Sequence, residues 1–258
     1  LAKRWGDTVL WWQVNDLMDY SSSAKAQARA ETDQMYAVIQ EKEFPFWADS
    51  LETLKTKIET KTLKAEDLSL EFESGGTHVE LLIKQLQPRI LALIDLMGEK
   101  EFKNLTTNYR KKIEKEKAEA EKTEDQQEKI QDRYVAGMEF FLGDIEKNQE
   151  KLIEAFFATE IYPYKLQAQD KFRYLEMIEG TKGDKEKLKA LANDFLHINN
   201  SIENRELQAA KKIYFQKLSQ LTFTLLDQMS DKQRTFAVKK ITQVSADLRA
   251  GTTVAKNP

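Results

Sequence analysis

Residues 225–233 read Leu225-Leu226-Asp227-Gln228-Met229-Ser230-Asp231-Lys232-Gln233, and residues 93–101 read Leu93-Ile94-Asp95-Leu96-Met97-Gly98-Glu99-Lys100-Glu101. Each stretch describes one helix stopping and the next one starting. In the later stretch Met229 is the last apolar residue and Ser230 carries an N-cap side chain. Gln233 follows three residues on, the spacing at which a side-chain amide reaches back to the cap's backbone N–H. In the earlier stretch Gly98 takes the cap position and Glu101 the third helical place, with Met97 and Phe102 at hydrophobic-staple spacing. Ile145, Glu146 and Gln149 make a poorer version of the same corner, because Glu is not a favoured cap.

Between such corners the apolar period is helical. Trp47, Leu51, Leu54 and Ile58 recur at four, three and four residues, leaving Glu52, Lys55 and Lys57 for water. Leu188, Leu191, Phe195 and Ile198 keep the same rhythm, as do Leu207, Ile213 or Tyr214, Leu218, Leu221 and Leu225. Leu68, Leu70 and Phe72 alternate briefly, which reads as a helix end or extended connector before Gly75 and Gly76. Breaks are expected at Tyr20 to Ser23, Gly75-Gly76, Met97-Gly98, Thr123 to Gln127, Gly143-Asp144, Gly180 to Gly183 and Ser230. They divide an all-α chain into about eight or nine long antiparallel helices. Pro45 and Pro163 imply helix ends or kinks at Phe44 and Tyr162.

The two corner stretches share four identities and three conservative matches. An aromatic-Pro-aromatic triplet precedes each, Phe44-Pro45-Phe46 and Tyr162-Pro163-Tyr164, and Gln27 and Gln149 fall at comparable helix starts before them. These features predict two pseudo-repeated halves, 1–125 and 126–250, with a flexible tail at 251–258. Within Glu99 to Arg133 no large apolar residue occurs between Ile113 and Ile130, so this segment is expected to project as a charged, solvated helical hairpin supported by pairs such as Glu114 with Lys117.

Across 258 residues the 40 Lys+Arg nearly offset 43 Asp+Glu, a formal charge of −3 that provides no global field for nucleic acid. In the apolar N-terminal region the longest uncharged stretch, Thr8 to Asn15, is far short of the ~20 residues that span a bilayer. With no Cys, thiol catalysis, thiolate metal sites and disulfides are excluded. Phosphate loops, nucleophile elbows and zinc-protease helices are also missing from the sequence. Of two histidines, His78 is expected in an exposed loop, and Asp194 with His197 forms at most half a metal site. No catalytic residue, cofactor or metal is expected.

Two surfaces and one groove remain as candidates. Trp5, Trp11 and Trp12 belong to a first helix that is apolar on several sides, which implies either burial or docking. Lys115, Lys117 and Glu121 lie on the charged arm. Phe44, Phe46, Trp47, Tyr162 and Tyr164 flank the two prolines, where they either fill the space at a bend or line an apolar groove.

In order along the chain, Trp5…Val9…Trp11-Trp12…Asp16…Asp19-Tyr20, Glu43-Phe44-Pro45, Met97-Gly98-Glu99-Lys100-Glu101, Tyr134…Phe141-Leu142-Gly143-Asp144-Ile145…Gln149 and Met229-Ser230-Asp231-Lys232-Gln233-Arg234 resemble an uncharacterised family of bacterial lipoproteins carrying an all-helical domain of unknown function. The resemblance implies an upstream signal peptide and lipid-bearing Cys, hence a periplasmic, membrane-tethered protein. It transfers no catalytic or binding residue. The expected role is a non-catalytic interaction or structural module of the cell envelope with a protein partner. A carrier binding a lipid or other apolar ligand in the aromatic groove is the alternative.

Overall fold

A computed structural model describes residues 2–196 and 204–254, with side chains from residue 6 to residue 252 within those ranges. The described residues form ten α-helices: α1 (Ala2–Met18), α2 (Ser22–Glu59), α3 (Ala65–Asp95), α4 (Glu99–Ala120), α5 (Thr123–Leu142), α6 (Lys147–Thr159), α7 (Tyr164–Gly180), α8 (Lys185–Leu196), α9 (Arg205–Asp227) and α10 (Asp231–Val254). The all-α expectation holds. The break expected at Gly75-Gly76 falls instead at residues 60–64, and the separation of α8 from α9 is not among the expected breaks.

Gly75 and Gly76 lie inside α3, not in a loop. Two glycines weaken a helix by about 1 kcal/mol each relative to Ala, so a reason is needed for at least one. At Gly75 a Cβ would come within 2.8 Å of the Trp47 indole, so the missing side chain makes room for that ring. At Gly76 a Cβ would meet nothing within 4 Å. α2 and α3 are instead separated at residues 60–64, where Lys61 turns through a φ of 56° and Thr62 N–H donates to the Lys57 carbonyl. α2 also runs on through Pro45, and α3 through Pro88. Pro163 does mark a boundary, immediately ahead of α7.

The helices sort into two compact units, each assembled from three stretches of chain: Leu1–Glu43, His78–Ala118 and Lys165–Arg205 in the first, and Phe44–Thr77, Glu119–Tyr164 and Glu206–Pro258 in the second. Consecutive halves at 1–125 and 126–250 do not describe this division, because α2 and α3 each belong partly to both units and α7 and α8 return to the first. The expected tail differs too. α10 continues to Val254, and Gly251 is buried where a Cβ would stand 2.7 Å from Phe44; residues 255–258 lie outside the described ones.

Each unit has its own core. In the first, Trp11, Tyr20, Met35, Leu86, Leu93, Ile94, Met97 and Leu188 cluster, and the Tyr20 hydroxyl donates to the Leu93 carbonyl at 2.9 Å. In the second, Ile58, Leu68, Leu142, Ile153, Phe157, Leu225 and Ile241 do so. The charged segment is packed on both sides of its turn. On the first-unit side Ile113 is buried, Glu116 accepts from Lys171 at 2.5 Å, and the Arg110 guanidinium grips Glu179 at 2.6 Å, tying α4 to α7. On the second-unit side the Gln127 amide donates to the Phe157 and Glu160 carbonyls. A projecting hairpin is not what these contacts describe.

Replacing Gly76 by Ala is expected to stabilise the protein by up to about 1 kcal/mol, since the helix gains propensity without a clash. Gly75→Ala gains less or loses, because the Trp47 ring must move. Urea unfolding of the two variants beside the parent measures the difference. Equal gains at both positions contradict the role assigned to Trp47.

Candidate functional site

Helix N-termini carry four backbone N–H groups with no partner inside the helix, and a buried corner must supply acceptors for them. In the first unit one side chain serves two helices. The Glu101 carboxylate, buried, accepts the Gly98 N–H at the start of α4 through Oε2 and the Ser21 N–H at the start of α2 through Oε1, both at 2.9 Å. The capping box read at Gly98 and Glu101 is therefore present and extends to a second helix. Gln27 lies exposed a turn beyond the start of α2, and no cap falls to it. The Ser21 N–H foremost, and the Gly98 N–H with it, hold the Glu101 carboxyl below its ordinary value against the opposing effect of burial.

In the second unit the same task falls to two neutral amides. Gln149 Oε1 accepts the Glu146 N–H at 3.0 Å, and Gln233 Oε1 accepts the Ser230 N–H at 3.1 Å. The two amides then bond each other: Gln233 Nε2 donates to Gln149 Oε1 at 2.8 Å, and Gln149 Nε2 to Gln233 Oε1 at 3.3 Å. Their second protons go to the Asp144 and Leu225 carbonyls. Both side chains are almost wholly enclosed, so every polar atom must be satisfied there, and each is. The chain reaches this corner through Gly143, whose φ of 79° is a conformation other residues adopt only under strain.

A cleft of about 830 Å³ opens over this second corner, lined among others by Leu142, Gly143, Asp144, Ser230, Phe236 and Lys239. Phe236, 43% exposed, presents aromatic surface here, and Phe140 on α5 is 47% exposed. The Lys240 ammonium lies 3.9 Å from the centroid of the Phe140 ring. Lys232 pairs with Asp144 at 3.0 Å and Asp231 with Lys61 at 3.6 Å, both pairs in solvent. Among the described residues neither Lys239 nor Lys240 has a carboxylate within ion-pair reach. None of Phe140, Phe236, Lys239 and Lys240 was singled out from the sequence. The signal was there in Lys232, Phe236 and Lys239, spaced four and three residues apart on one face of α10.

The candidates named from the sequence are placed as follows. Trp11 is a core residue with the Arg29 guanidinium 5.8 Å from its ring, so it does not contribute an exposed contact; Trp12 is 60% exposed; the side chain of Trp5 lies outside the described residues. Lys115, Lys117 and Glu121 are exposed, and the Lys117 ammonium sits 5.6 Å from the Phe172 centroid. The aromatic triplets pack against different partners. Phe44 meets Gly251, while Phe46 meets Trp47 edge to face at 5.0 Å. Tyr162 and Tyr164 join Tyr134, Phe156, Phe157, Tyr214 and Phe215 in a cluster of edge-to-face and tilted contacts within 6.2 Å. Burial pushes the Tyr134, Tyr164 and Tyr214 hydroxyls up to about 12, so they stay neutral.

His78 is not in a loop: it lies on α3, with Nε2 2.9 Å from the buried Glu43 carboxylate. His197 lies outside the described residues. Among the described residues no cluster of His, Asp and Glu is placed to hold a metal ion, and no helix is long and apolar enough to cross a membrane.

A family model described as a family of unknown function, DUF6279, matches residues 16–194. The chain belongs to that family. No match was found among curated proteins or among solved structures. The matched DUF6279 span takes in the Ser21, Gly98–Glu101 and Gly143–Gln149 corners and ends ahead of α9 and α10.

Two chemical predictions follow from the corners. Because the folded-state pKa of Glu101 is depressed, its contribution to stability is complete above the unfolded carboxyl value, about 4.3, and is lost as pH falls through the lower folded value. Glu101→Gln is expected to lower stability at neutral pH and to flatten the acid limb of the stability profile, measured by urea unfolding at stepped pH. An unchanged acid limb rules out the bridge as its source. In the second unit, Gln149→Ala and Gln233→Ala are each expected to cost about 2 kcal/mol, with the double variant less destabilised than the sum by about 1 kcal/mol. Strict additivity in that cycle contradicts direct amide pairing.

Proposed function

We propose that the chain is a non-catalytic interaction module of the bacterial cell envelope, exposed on the periplasmic side and tethered by an N-terminal lipid. The envelope assignment is supported by the ordered resemblance to lipoproteins described above. Against catalysis speaks the use made of the buried acids and amides. Glu101, Gln149 and Gln233 are consumed by helix caps, Asp170 by Arg173 at 2.7 Å and Glu43 by His78.

The observation that carries the interaction reading is the face shared by α5 and α10. Phe236 and Lys239 line the cleft from α10, and on α5 the half-exposed Phe140 ring lies under the Lys240 ammonium. Aromatic and cationic side chains of this kind are the groups that contribute most at protein interfaces. The corners also support descent of the two units from one duplicated element, since each joins two helix N-termini through the third residue of a capping box.

The carrier reading draws on one observation of its own. Tyr214 is 5% exposed within the aromatic cluster, and its hydroxyl has no hydrogen-bond partner, a buried polar atom that a ligand's acceptor would satisfy.

A photo-crosslinking residue placed at Phe236 in the full-length native protein, in intact cells, is expected to give one discrete adduct recovered in the envelope fraction. The same residue at buried Ile241 is expected to give none. The interaction reading fails if Phe236, Phe140 and Trp12 positions all yield no adduct, and the envelope reading fails if the protein fractionates with the cytosol.

A further inference from the structure

We infer that α2 and α3 together form a flexible strap that bends at residues 44–46 of α2 and 76–77 of α3, so that the two units move as separate bodies.

The chain passes between the units five times. Three passages fall within two residues of a helix end, at 118–119 in α4, 164–165 in α7 and 205–206 in α9. The other two, at 43–44 and 77–78, lie deep inside α2 and α3, where a regular helix would transmit any motion of one unit rigidly to the other. Both helices are weakened at those places. Pro45 has no N–H to give to the α2 ladder and its ring crowds the turn before it, a common cause of a helix kink. Gly75 and Gly76 stand just before the passage in α3, where adjacent glycines leave the helix backbone least restrained.

Packing accounts for only one of those glycines. Gly75 makes room for the Trp47 ring, whereas a Cβ at Gly76 would meet nothing, so Ala would lose no contact there and would strengthen the helix. What Gly76 supplies is backbone freedom. Helix breakers elsewhere are braced by their own neighbours. Pro88 has Leu86 and Leu93 of the same helix in the first core, and Gly137 has Met138 and Leu142 of its helix in the second.

Contacts hold α2 and α3 together on each side of the weak level. On the first-unit side His78 Nε2 lies 2.9 Å from the Glu43 carboxylate, and on the second-unit side the Trp47 indole lies against Gly75. The antiparallel pair is thus pinned at 43 with 78 and at 47 with 75, and the short lengths between the pins are those that hold Pro45 and Gly76. A bend there leaves both pins and both capped corners whole, because each is made inside one unit. A few residues absorbing the change in φ and ψ while packed bodies stay intact is how hinges operate.

The chain has no Cys, so nitroxide labels attach only where a Cys is introduced. In the full chain, Ala190→Cys with Ala155→Cys, at exposed positions of α8 and α6, reports between the units by double electron–electron resonance, and Ala190→Cys with Lys111→Cys reports within the first. The between-unit distance distribution is expected to be the broader, and Pro45→Ala with Gly76→Ala to narrow it to the width of the within-unit pair. Gly76→Ala alone is expected to narrow it in part, which keeps the test decisive if circular dichroism shows that the double variant does not fold. At Gly137, away from the strap, a Cβ would also meet nothing within 4 Å, so Gly137→Ala is expected to stabilise α5 and leave the distribution unchanged. The proposal is overturned if the parent's between-unit distribution is as narrow as the within-unit one, if Gly76→Ala leaves it unchanged, or if Gly137→Ala narrows it as much.

Discussion

Burying a helix N-terminus leaves backbone N–H groups that water can no longer reach, and each one left bare costs on the order of 1–3 kcal/mol. A chain built from ten helices meets this constraint repeatedly, and here it is solved by making one helix's cap serve another. In the first unit Glu101 bonds the N-termini of α4 and α2 together. In the second, the Gln149 and Gln233 amides connect those of α6 and α10. These joints do more than cap. They fix which helix ends meet, and so decide which apolar faces close into each core.

The two solutions differ in kind. A carboxylate offers only acceptors, so Glu101 can take N–H groups from both helices without a second side chain, and the partial positive charge of two helix N-termini favours its ionised form. An amide must also place its N–H₂, which is why Gln149 and Gln233 come as a pair and why the Asp144 and Leu225 carbonyls are drawn in. The neutral version therefore draws a carbonyl of the Gly143 loop into the joint, whereas the charged version takes only the Ser21 N–H from the loop that follows Asp19. That recruited loop is what shapes the cleft. The functional candidate of the second unit is thus a by-product of how its corner is capped.

What could be read from the sequence follows from the range of the interaction responsible. The capping boxes were legible because donor and acceptor lie three residues apart, and the cap–Gln233 spacing can be seen without any fold. Gly75 reads as a break in sequence because its reason, the Trp47 ring, lies 28 residues away and reaches it only once α2 and α3 pack. The charged segment reads as solvated for the same reason: Glu116 and Arg110 find Lys171 and Glu179 on α7, far along the chain. Trp11 and Trp12 could not be told apart because the first helix is apolar on several sides, and periodicity alone does not say which side meets the core. The pairing of Lys240 with the Phe140 ring is invisible in the sequence because the two lie 100 residues apart and meet only once α5 and α10 pack.

The distribution of satisfied and unsatisfied groups then separates structure from function. Inside the second corner the amides have used all their bonding capacity, so nothing polar there remains to meet a ligand or to assist a reaction. On its outer surface Asp144 is matched by Lys232 and Asp231 by Lys61, the Lys240 ammonium covers the Phe140 ring, and nearly half of Phe236 stays in water. A partner that covers Phe236 meets a corner already fixed by its own hydrogen bonds, so little conformational entropy is spent in forming the contact.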